Sequence, residues 1–232
     1  MTNQSSYRCE ICKDVGFIIT REPGLQDLFT PCKCQAVDKA KKNWNKSGLN
    51  TEQGKMTFKS FKTETSLQIM AKSRTMDYYS SFQSIKNSRQ NSIALLGQVG
   101  SGKTHLSVAL AVNLLSKGIA VRYMPYRDIV TKIKMNMNDD AAYQKLLGPY
   151  QMCQVLLIDD LFKGKLTDSD KNIMFEIVNY RYLNYKPMII SSEFNIDKLL
   201  DFDEAIGSRI LEMAKNYTTE LTGIENNYRL KP

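Results

Sequence analysis

Residues 97–104 read GQVGSGKT, a complete G-x-x-x-x-G-K-[ST] pattern. Such a loop binds phosphate, because its glycines let backbone N–H groups point at phosphate oxygens and the helix that follows offers its positive end. In this pattern Lys103 reaches the β- and γ-phosphates, and the Thr104 hydroxyl ligates Mg²⁺. The residues expected to bind the nucleotide here are Gly97, Gly100, Ser101, Gly102, Lys103, Thr104 and His105.

Residues 155–160, VLLIDD, form an apolar run that ends in two carboxylates. A buried strand of this kind delivers its last residues to the carboxyl edge of a parallel sheet, where ligands bind in open α/β folds. We expect Asp159 to hold the water shell of Mg²⁺ and Asp160 to polarise the water that attacks the γ-phosphate. The two patterns together predict ATP or ADP, with Mg²⁺, as ligands.

Three further places are candidates for a part in catalysis. Residues 188–193 are predicted to form a strand with a polar tip, where Ser192 or Glu193 holds the attacking water or the γ-phosphate, unless the serine only caps the strand. Arg209 is either an arginine finger that completes a neighbouring subunit's site or a surface ion-pair residue. Arg229 offers a second arginine near the end of the sequence.

Four of the five cysteines fall in the first 34 residues as two close pairs. The pairs are Cys9 with Cys12 and Cys32 with Cys34, and 19 residues separate them. Four thiolates suit a closed tetrahedral zinc site, and so small a segment needs metal to fold, so we expect structural zinc rather than free thiols. The apolar stretch 15–20 and a turn at Pro23-Gly24 would form the hairpin that returns the chain to the metal. Cys153 is expected to be a buried core residue.

The sequence of 232 residues has a formal net charge of +8, and residues 1–90 carry +7 of it, from 15 basic and 8 acidic side chains. A basic segment suits an acidic partner such as nucleic acid, but it fits a solvated surface equally well. No apolar run is as long as a membrane span, and the polar first residues lack the apolar core of a signal peptide. We therefore expect a cytoplasmic protein without membrane contact, in a compartment where cysteines stay reduced.

The elements that must position these residues alternate between strand and helix. Apolar runs predict strands at 93–96, 119–124, 155–160 and 188–193, and apolar periodicity predicts helices at 66–81, 104–117, 126–137 and 168–182. Such alternation favours a parallel sheet flanked by helices. We predict an α/β fold of the P-loop NTPase type, preceded by a small zinc-binding module.

We divide the chain into a zinc-binding module at 1–45, a linker at 46–65 and a nucleotide-binding domain at 66–232. The middle segment is polar and rich in lysine, which is typical of a helix end and a linker. Phe58 and Phe61 near its end either line an adenine pocket or pack the linker onto the core.

Binding of single-stranded DNA needs cations along a groove with aromatic side chains between them. The favoured set is Tyr123, Tyr126, Arg127, Lys132 and Lys134, and a second set is Lys163 and Lys165. In the alternative interpretation the tyrosines pack in the core and the lysines form a solvated face.

Taken together, these motifs resemble those of bacterial and phage replicative helicase loaders of the DnaC/DnaI kind, within the AAA+ ATPases. The segments that carry the resemblance are Cys9 and Cys12 with 13–16, Cys32 with Cys34, and residues 57–61, 97–106, 157–161, 207–209 and 227–229. The resemblance implies an AAA+ core, a zinc module that contacts the hexameric helicase, binding of single-stranded DNA, and ATP-controlled delivery or release of that helicase. It also implies self-association that brings Arg209 to a neighbouring ATP site and gives Arg229 the place of a second sensor.

Two positions depart from the pattern of AAA+ enzymes. Many of them carry Glu where this chain has Asp160, and Asn or Thr where it has Ser192 and Glu193, so we expect ATP hydrolysis to be weak or stimulated by partners.

Three other functions stay open. An IstB-like transposition helper shares the core but does not need the cysteine pairs. A P-loop kinase needs an acceptor pocket and an arginine-rich lid. A zinc-containing adaptor would bind nucleotide without hydrolysing it.

Overall fold

The protein is described by a computed structural model, which covers residues 7, 9–21 and 26–230. Near the N-terminus, β1 (Phe17–Thr20) and β2 (Leu28–Pro31) pair antiparallel, and helix α1 (Lys33–Ser47) follows directly. The hairpin predicted from the 15–20 stretch is therefore present. The predicted Pro23-Gly24 turn lies outside the described residues.

The centre of the fold is a parallel sheet. Its strands are β3 (Ile93–Gly97), β4 (Val121–Pro125), β5 (Val155–Leu161), β6 (Met188–Ser192) and β7 (Thr218–Leu221). Their order across the sheet is β4-β5-β6-β3-β7, and every pairing recorded between them is parallel. Strand β6 lies between β3 and β5, so its carboxyl end stands between the phosphate loop and the two aspartates. This confirms the predicted α/β class.

Helices cover both faces of the sheet. They are α2 (Thr51–Gly54), α3 (Ser66–Ile85), α4 (Lys103–Ser116), α5 (Tyr126–Lys134), α6 (Asp140–Met152), α7 (Asp168–Leu183), α8 (Ile196–Phe202) and α9 (Glu204–Met213). One apolar cluster packs α1, α3 and α4 on the sheet, and a second packs α5 to α9 on the opposite face. Side chains of β5 alternate between the two clusters, as the twofold period of a strand requires.

Helix α1 joins the cysteine-rich segment to the nucleotide-binding domain without a break. It continues across the predicted boundary at residue 45, and the Asn43 amide donates a hydrogen bond of 3.0 Å to the carbonyl of Gly118, just after α4. The segment predicted as a linker also packs on the core, because Leu49 and Phe61 are 8% and 3% exposed. Residues 46–65 thus form a fixed connection. Within the described residues, no helix is both long enough and apolar enough to cross a bilayer.

Candidate nucleotide site and cysteine cluster

Three glycines of the phosphate loop have backbone conformations that favour glycine. Gly97, Gly100 and Gly102 have φ values of +111°, +75° and +87°. A Cβ atom on Gly97 would lie 2.3 Å from the carbonyl oxygen of Leu221, and one on Gly100 would lie 2.0 Å from the Oδ1 atom of Asn227. The loop therefore packs closely against β7 and the segment that follows it, and neither glycine has room for a side chain.

The ammonium group of Lys103 is held by the loop's own oxygen atoms. It donates to the carbonyl of Gln98 and lies 3.4 Å from the Ser101 hydroxyl. Burial lowers the pKa of Lys103 to about 8, although the nearby carboxylates of Glu193 and Asp160 favour its charged form. A phosphate group at this position would supply the negative charge that the buried ammonium lacks.

The carboxylate of Asp159 accepts hydrogen bonds from three hydroxyl groups. Thr104 and Ser191 donate to its Oδ1 atom over 2.9 and 2.5 Å, and Tyr123 donates to Oδ2 over 3.0 Å. Burial, together with the charge of Asp159, raises the pKa of Tyr123, so this phenol stays a donor. Hard oxygen ligands of this kind suit Mg²⁺, so the Thr104 hydroxyl and the 6%-exposed Asp159 carboxylate fit the predicted metal.

Asp160 lies in an irregularity of the sheet. The pairing of β5 with β6 shifts register between Ile158 and Leu161, and Asp160 adopts a φ of +56°. Its N–H donates to the Ser191 hydroxyl over 2.9 Å, while the Ser192 hydroxyl donates to the carbonyl of Leu161 over 2.7 Å. Both serines thus brace the bulge, but Ser191 is the one in contact with the aspartates.

The carboxylates of Asp160 and Glu193 face the phosphate loop across a cleft. The residues that line it are Val99, Gly100, Ser101, Gly102, Lys103, Thr104, Asp160, Lys163, Glu193 and Arg229. The Lys163 ammonium lies 2.7 Å from Asp160 and 3.1 Å from Glu193. The structure therefore brings together most of the residues predicted to act on the nucleotide. Ser191, Tyr123 and Lys163 were not predicted to act there.

Arg209 points at its own subunit's α7 and is not among the residues that line the cleft. Its Nε donates to the Asn179 side chain over 3.1 Å, and another guanidinium nitrogen donates to the carbonyl of Ala205 over 2.6 Å. The guanidinium also lies over the rings of Phe175 and Tyr182, at 5.3 and 5.5 Å. The guanidinium is therefore held by contacts within its own subunit, and the arginine-finger role stays a prediction.

His105 contacts the segment before the nucleotide-binding domain. Its Nε2 atom lies 2.9 Å from the carbonyl oxygen of Thr57, and its ring meets Phe61 edge-on with centroids 5.3 Å apart. Phe61 also packs edge-on against Tyr228 and fills the space beside Gly102. Of the two interpretations of Phe61, the structure shows core packing beneath the phosphate loop.

The residues favoured for DNA contact do not form one exposed surface. Tyr126 is 1% exposed, and the Tyr123 hydroxyl is bonded to Asp159. Lys134 forms an ion pair of 3.0 Å with Asp170, and Arg127 donates to the carbonyl of Lys165 over 2.8 Å. Lys132 is exposed.

The four N-terminal cysteines converge on one point. Their sulfur atoms all lie within 4.8 Å of one another, with Cys9 3.8 Å from Cys32 and Cys12 3.4 Å from Cys34. A tetrahedron with zinc–sulfur bonds of about 2.3 Å places its sulfur atoms about 3.8 Å apart, so the cluster fits the predicted zinc.

Hydrogen bonds within the adjacent turns position the cysteine side chains. The Gly16 N–H donates to the sulfur of Cys12 over 3.3 Å, and the Cys32 N–H donates to the carbonyl of Gly16 over 2.8 Å. Backbone N–H groups of Cys12 and Ile11 lower the pKa of Cys9 to about 7, whereas hydrogen bonding to Cys12 and burial raise the pKa of Cys34 to about 12. A cation is needed to keep four adjacent thiols ionised together.

Relatives of this chain include a protein of a phage-like element, a replicative helicase loader and a putative ATP-binding protein of an insertion sequence. Phage-like element PBSX protein XkdC of Bacillus subtilis (strain 168) is 40% identical over 240 residues, which is 99% of this chain and 89% of XkdC. Replicative helicase loader DnaC of Escherichia coli (strain K12) is 25% identical over 177 residues, 75% of this chain and 69% of DnaC. The insertion sequence IS21 putative ATP-binding protein of Pseudomonas aeruginosa is 26% identical over 144 residues, 62% of this chain and 54% of that protein.

Solved structures share the fold. The crystal structure of the DnaC helicase loader superposes with a TM-score of 0.63 at 21% identity, over 75% of this chain and 100% of that chain. The crystal structure of DnaI gives 0.62 at 19% identity, over 75% and 95%. The α/β fold of this chain is therefore shared with these two proteins. Residues 39–232 match the family described as IstB-like ATP binding protein. This match covers the whole nucleotide site described above, and the chain belongs to the IstB-like ATP-binding protein family.

Proposed function

We propose that this chain is an ATPase that loads a hexameric replicative helicase onto single-stranded DNA. The ATPase part is carried by one observation: the Thr104 hydroxyl meets the buried Asp159 carboxylate at 2.9 Å, directly beside a cleft that Asp160 lines. A phosphate loop supplies triphosphate binding, and the two aspartates supply the metal ligand and the water-activating group that hydrolysis needs.

In the proposed reaction, Lys103 and the backbone N–H groups of the loop hold the triphosphate. Bound Mg²⁺ supplies neutralisation of phosphate charge and would be held by Thr104 and Asp159. The oxygen of a water molecule attacks the γ-phosphorus, and the bond from that phosphorus to the β,γ-bridging oxygen breaks, with the electron pair leaving on ADP. The water's proton passes to the Asp160 carboxylate and from there to solvent.

We expect unstimulated hydrolysis to be weak. Asp160 stands where many AAA+ enzymes carry Glu, and its side chain is one methylene group shorter, so it positions the attacking water less well. Turnover should therefore rise when a partner or DNA rearranges this edge of the cleft. The measurement is single-turnover hydrolysis of radiolabelled ATP, with Lys103→Ala as the control that loses nucleotide binding. If Asp160→Ala hydrolyses ATP as fast as the unchanged protein, Asp160 is not the water-activating group.

The hairpin of the cysteine module offers a docking surface for the helicase. Its exposed apolar side chains are Val15, Phe17, Ile18, Ile19, Leu28 and Phe29. A cluster of exposed apolar side chains marks a protein interaction site. Helix α1 begins beside the cysteine cluster and packs against α4, and the phosphate loop lies at the N-terminus of α4. Packed helices therefore connect a partner bound at the hairpin with the nucleotide site.

Co-sedimentation with the replicative helicase of the same cell tests the loader function, with ATP, with ADP and without nucleotide. Leu28→Ser, which changes a 64%-exposed hairpin residue, should lose binding. Ile224→Ser, which changes a 75%-exposed residue near the C-terminus, is the matched control and should bind normally. If the unchanged protein binds the helicase in none of the three conditions, the loader function is wrong, while the ATPase proposal stands.

Self-association and DNA binding complete the proposal. The placement of Arg209 outside its own cleft suits an arginine finger for a neighbouring subunit, and the net charge of +8 suits a polyanionic partner. Arg209→Ala should keep nucleotide binding and slow hydrolysis in assemblies formed on single-stranded DNA. Normal hydrolysis by Arg209→Ala at high protein concentration with DNA would rule out the finger.

A transposition helper is the second candidate. It is favoured by the family match, which starts at residue 39 and so leaves out the four cysteines, and by the similarity to the IS21 protein. A helper of this kind would not need the cysteine cluster. Disruption of the cluster by Cys9→Ser therefore separates the two functions: DNA-stimulated hydrolysis should persist in either case, but helicase binding should be lost only by a loader.

A further inference from the structure

The edge of the nucleotide cleft holds two carboxylates where a polyphosphate must bind. Asp160 and Glu193 both line the cleft with the phosphate loop, and their side chains are 35% and 29% exposed. Carboxylates repel phosphate oxygens, and the repulsion grows where water is excluded. Besides Mg²⁺ and Lys103, a cation close to these two carboxylates would reduce that repulsion.

Lys163 is placed to be that cation. Its ammonium contacts Asp160 at 2.7 Å and Glu193 at 3.1 Å, and it also lines the adjacent cleft, which contains Tyr123, Arg127 and Asp159. The ion pair with Asp160 raises the pKa of Lys163, so the side chain is charged at neutral pH. Lys163 thus stands on the rim that the two clefts share.

The backbone holds Lys163 there before any nucleotide binds. The preceding residue, Phe162, has a φ of +63° and is 1% exposed, with its ring packed on Tyr126 and Phe202 at centroid distances of 5.8 and 4.6 Å. The Lys163 N–H donates to the Asp160 carbonyl over 3.1 Å and closes the turn. A left-handed non-glycine residue that is fixed by buried packing often marks a functional position.

The contacts of Lys163 can be exchanged. Its side chain is 44% exposed, and ion pairs that water reaches are weak. A γ-phosphate carries more charge than either carboxylate, and its hydrogen bonds with an ammonium are strong. ADP has no γ-phosphate, so with ADP the Lys163 ammonium keeps its contacts with Asp160 and Glu193.

We propose that Lys163 is the residue by which the site distinguishes ATP from ADP, exchanging Asp160 and Glu193 for the γ-phosphate of bound ATP. This inference rests on the proposed nucleotide site. The exchange moves the Lys163 ammonium away from Asp160 and Glu193 only when a triphosphate is present. With ADP, Lys163 keeps both carboxylates paired.

Equilibrium binding tests this role independently of turnover. Fluorescent ADP and a fluorescent, non-hydrolysable ATP analogue are titrated with the full chain, with Lys163→Met and with the exposed Lys215→Met as the matched control. Lys163→Met should lower the ratio of triphosphate to diphosphate affinity about tenfold. This is the net effect of losing one charged hydrogen bond to the γ-phosphate, because forming that bond costs the contacts of Lys163 with Asp160 and Glu193. Lys215→Met should keep the ratio, and Lys163→Arg should restore part of it.

A merely structural Lys163 gives a different result. If Lys163 only neutralises the rim, Lys163→Met weakens both nucleotides equally, and the added substitution Glu193→Gln recovers both; this outcome overturns the inference. The inference is also overturned if Lys163→Met lowers the melting temperature but leaves the ratio of triphosphate to diphosphate affinity unchanged. If the unchanged protein binds neither nucleotide, the proposed nucleotide site is wrong. This result differs from an unchanged affinity ratio in Lys163→Met, which contradicts only the role of Lys163.

Discussion

The buried ammonium of Lys103 predicts that ATP binding takes up a proton. In the free protein, burial lowers the pKa of Lys103 to about 8 from its usual value near 10.5. Bound phosphate stabilises the charged form and raises that pKa again. Above pH 8 the free protein has therefore lost a proton that the ATP complex must regain, so affinity falls as pH rises.

The size of the effect follows from the pKa. The free protein is about 10% deprotonated at about pH 7 and about 90% at about pH 9, so ATP affinity should fall about tenfold between them, with uptake of about 0.9 proton at the upper pH. Isothermal titration calorimetry in two buffers of different ionisation enthalpy counts the protons directly.

The matched control is Lys103→Arg, because a guanidinium keeps its charge throughout this range. Whatever affinity this variant retains should be accompanied by no proton uptake. The reasoning is refuted if the unchanged protein binds ATP equally well at both pH values. It is refuted equally if Lys103→Arg takes up the same number of protons, because another group would then be responsible.

Three further predictions concern the neighbouring serines, the cysteine cluster and a buried arginine. Ser191→Ala should lower kcat about tenfold by releasing both aspartates, whereas Ser192→Ala should cost about 1 kcal/mol in urea denaturation with little change in kcat; the reverse pattern would restore Ser192 to the catalytic role. The purified chain should carry one zinc by mass spectrometry, and its removal by a chelator should abolish helicase binding but not ATP binding; an unchanged pull-down after complete removal would contradict this. Arg181→Met should lower the free energy of unfolding by about 3 kcal/mol, because it strands the carbonyls of Tyr150, Gln151, Cys153 and Pro187, whereas Lys215→Met should change it by less than about 0.5 kcal/mol.

The sequence allows the sheet and its chemistry to be predicted wherever apolar runs meet a specific motif. The predicted helix at 104–117 and strand at 155–160 agree with α4 and β5 to within one residue at each end. The glycine spacing of the loop forces a strand, a turn and a helix in that order. The α/β fold follows from these elements and is confirmed by the solved structures.

Other elements lack a readable pattern. Helix α6 contains Gly148 and Pro149, which normally argue against a helix, and its packing in the core overrides them. The segment before the nucleotide-binding domain looks like a linker because most of it is polar. Trp44, Leu49 and Phe61 nevertheless bury enough apolar surface to fix it.

The choice between neighbouring strand-end residues is the hardest to make from sequence. All five residues of β6 are buried, so its polar end shows no alternation from which the site-facing serine could be read. The register shift in β5 also decides which serine meets the aspartates, and a bulge has no sequence signature without glycine. The sequence therefore favours Ser192 over Ser191, and the roles of both remain predictions.

The bulge at Asp160 carries a conformational cost that the rest of the fold must offset. Asp160 and Phe162 both adopt left-handed backbone conformations, at about 1–3 kcal/mol each. The offset comes from two sides: the Ser191 and Ser192 hydroxyls bond the bulged backbone, and the Phe162 ring is enclosed by other aromatic rings. Both supports are buried and independent of nucleotide. The folding of the sheet thus positions the side chains of Asp159 and Asp160. What a nucleotide or a partner can change is the set of contacts that Lys163 makes at the rim of the cleft.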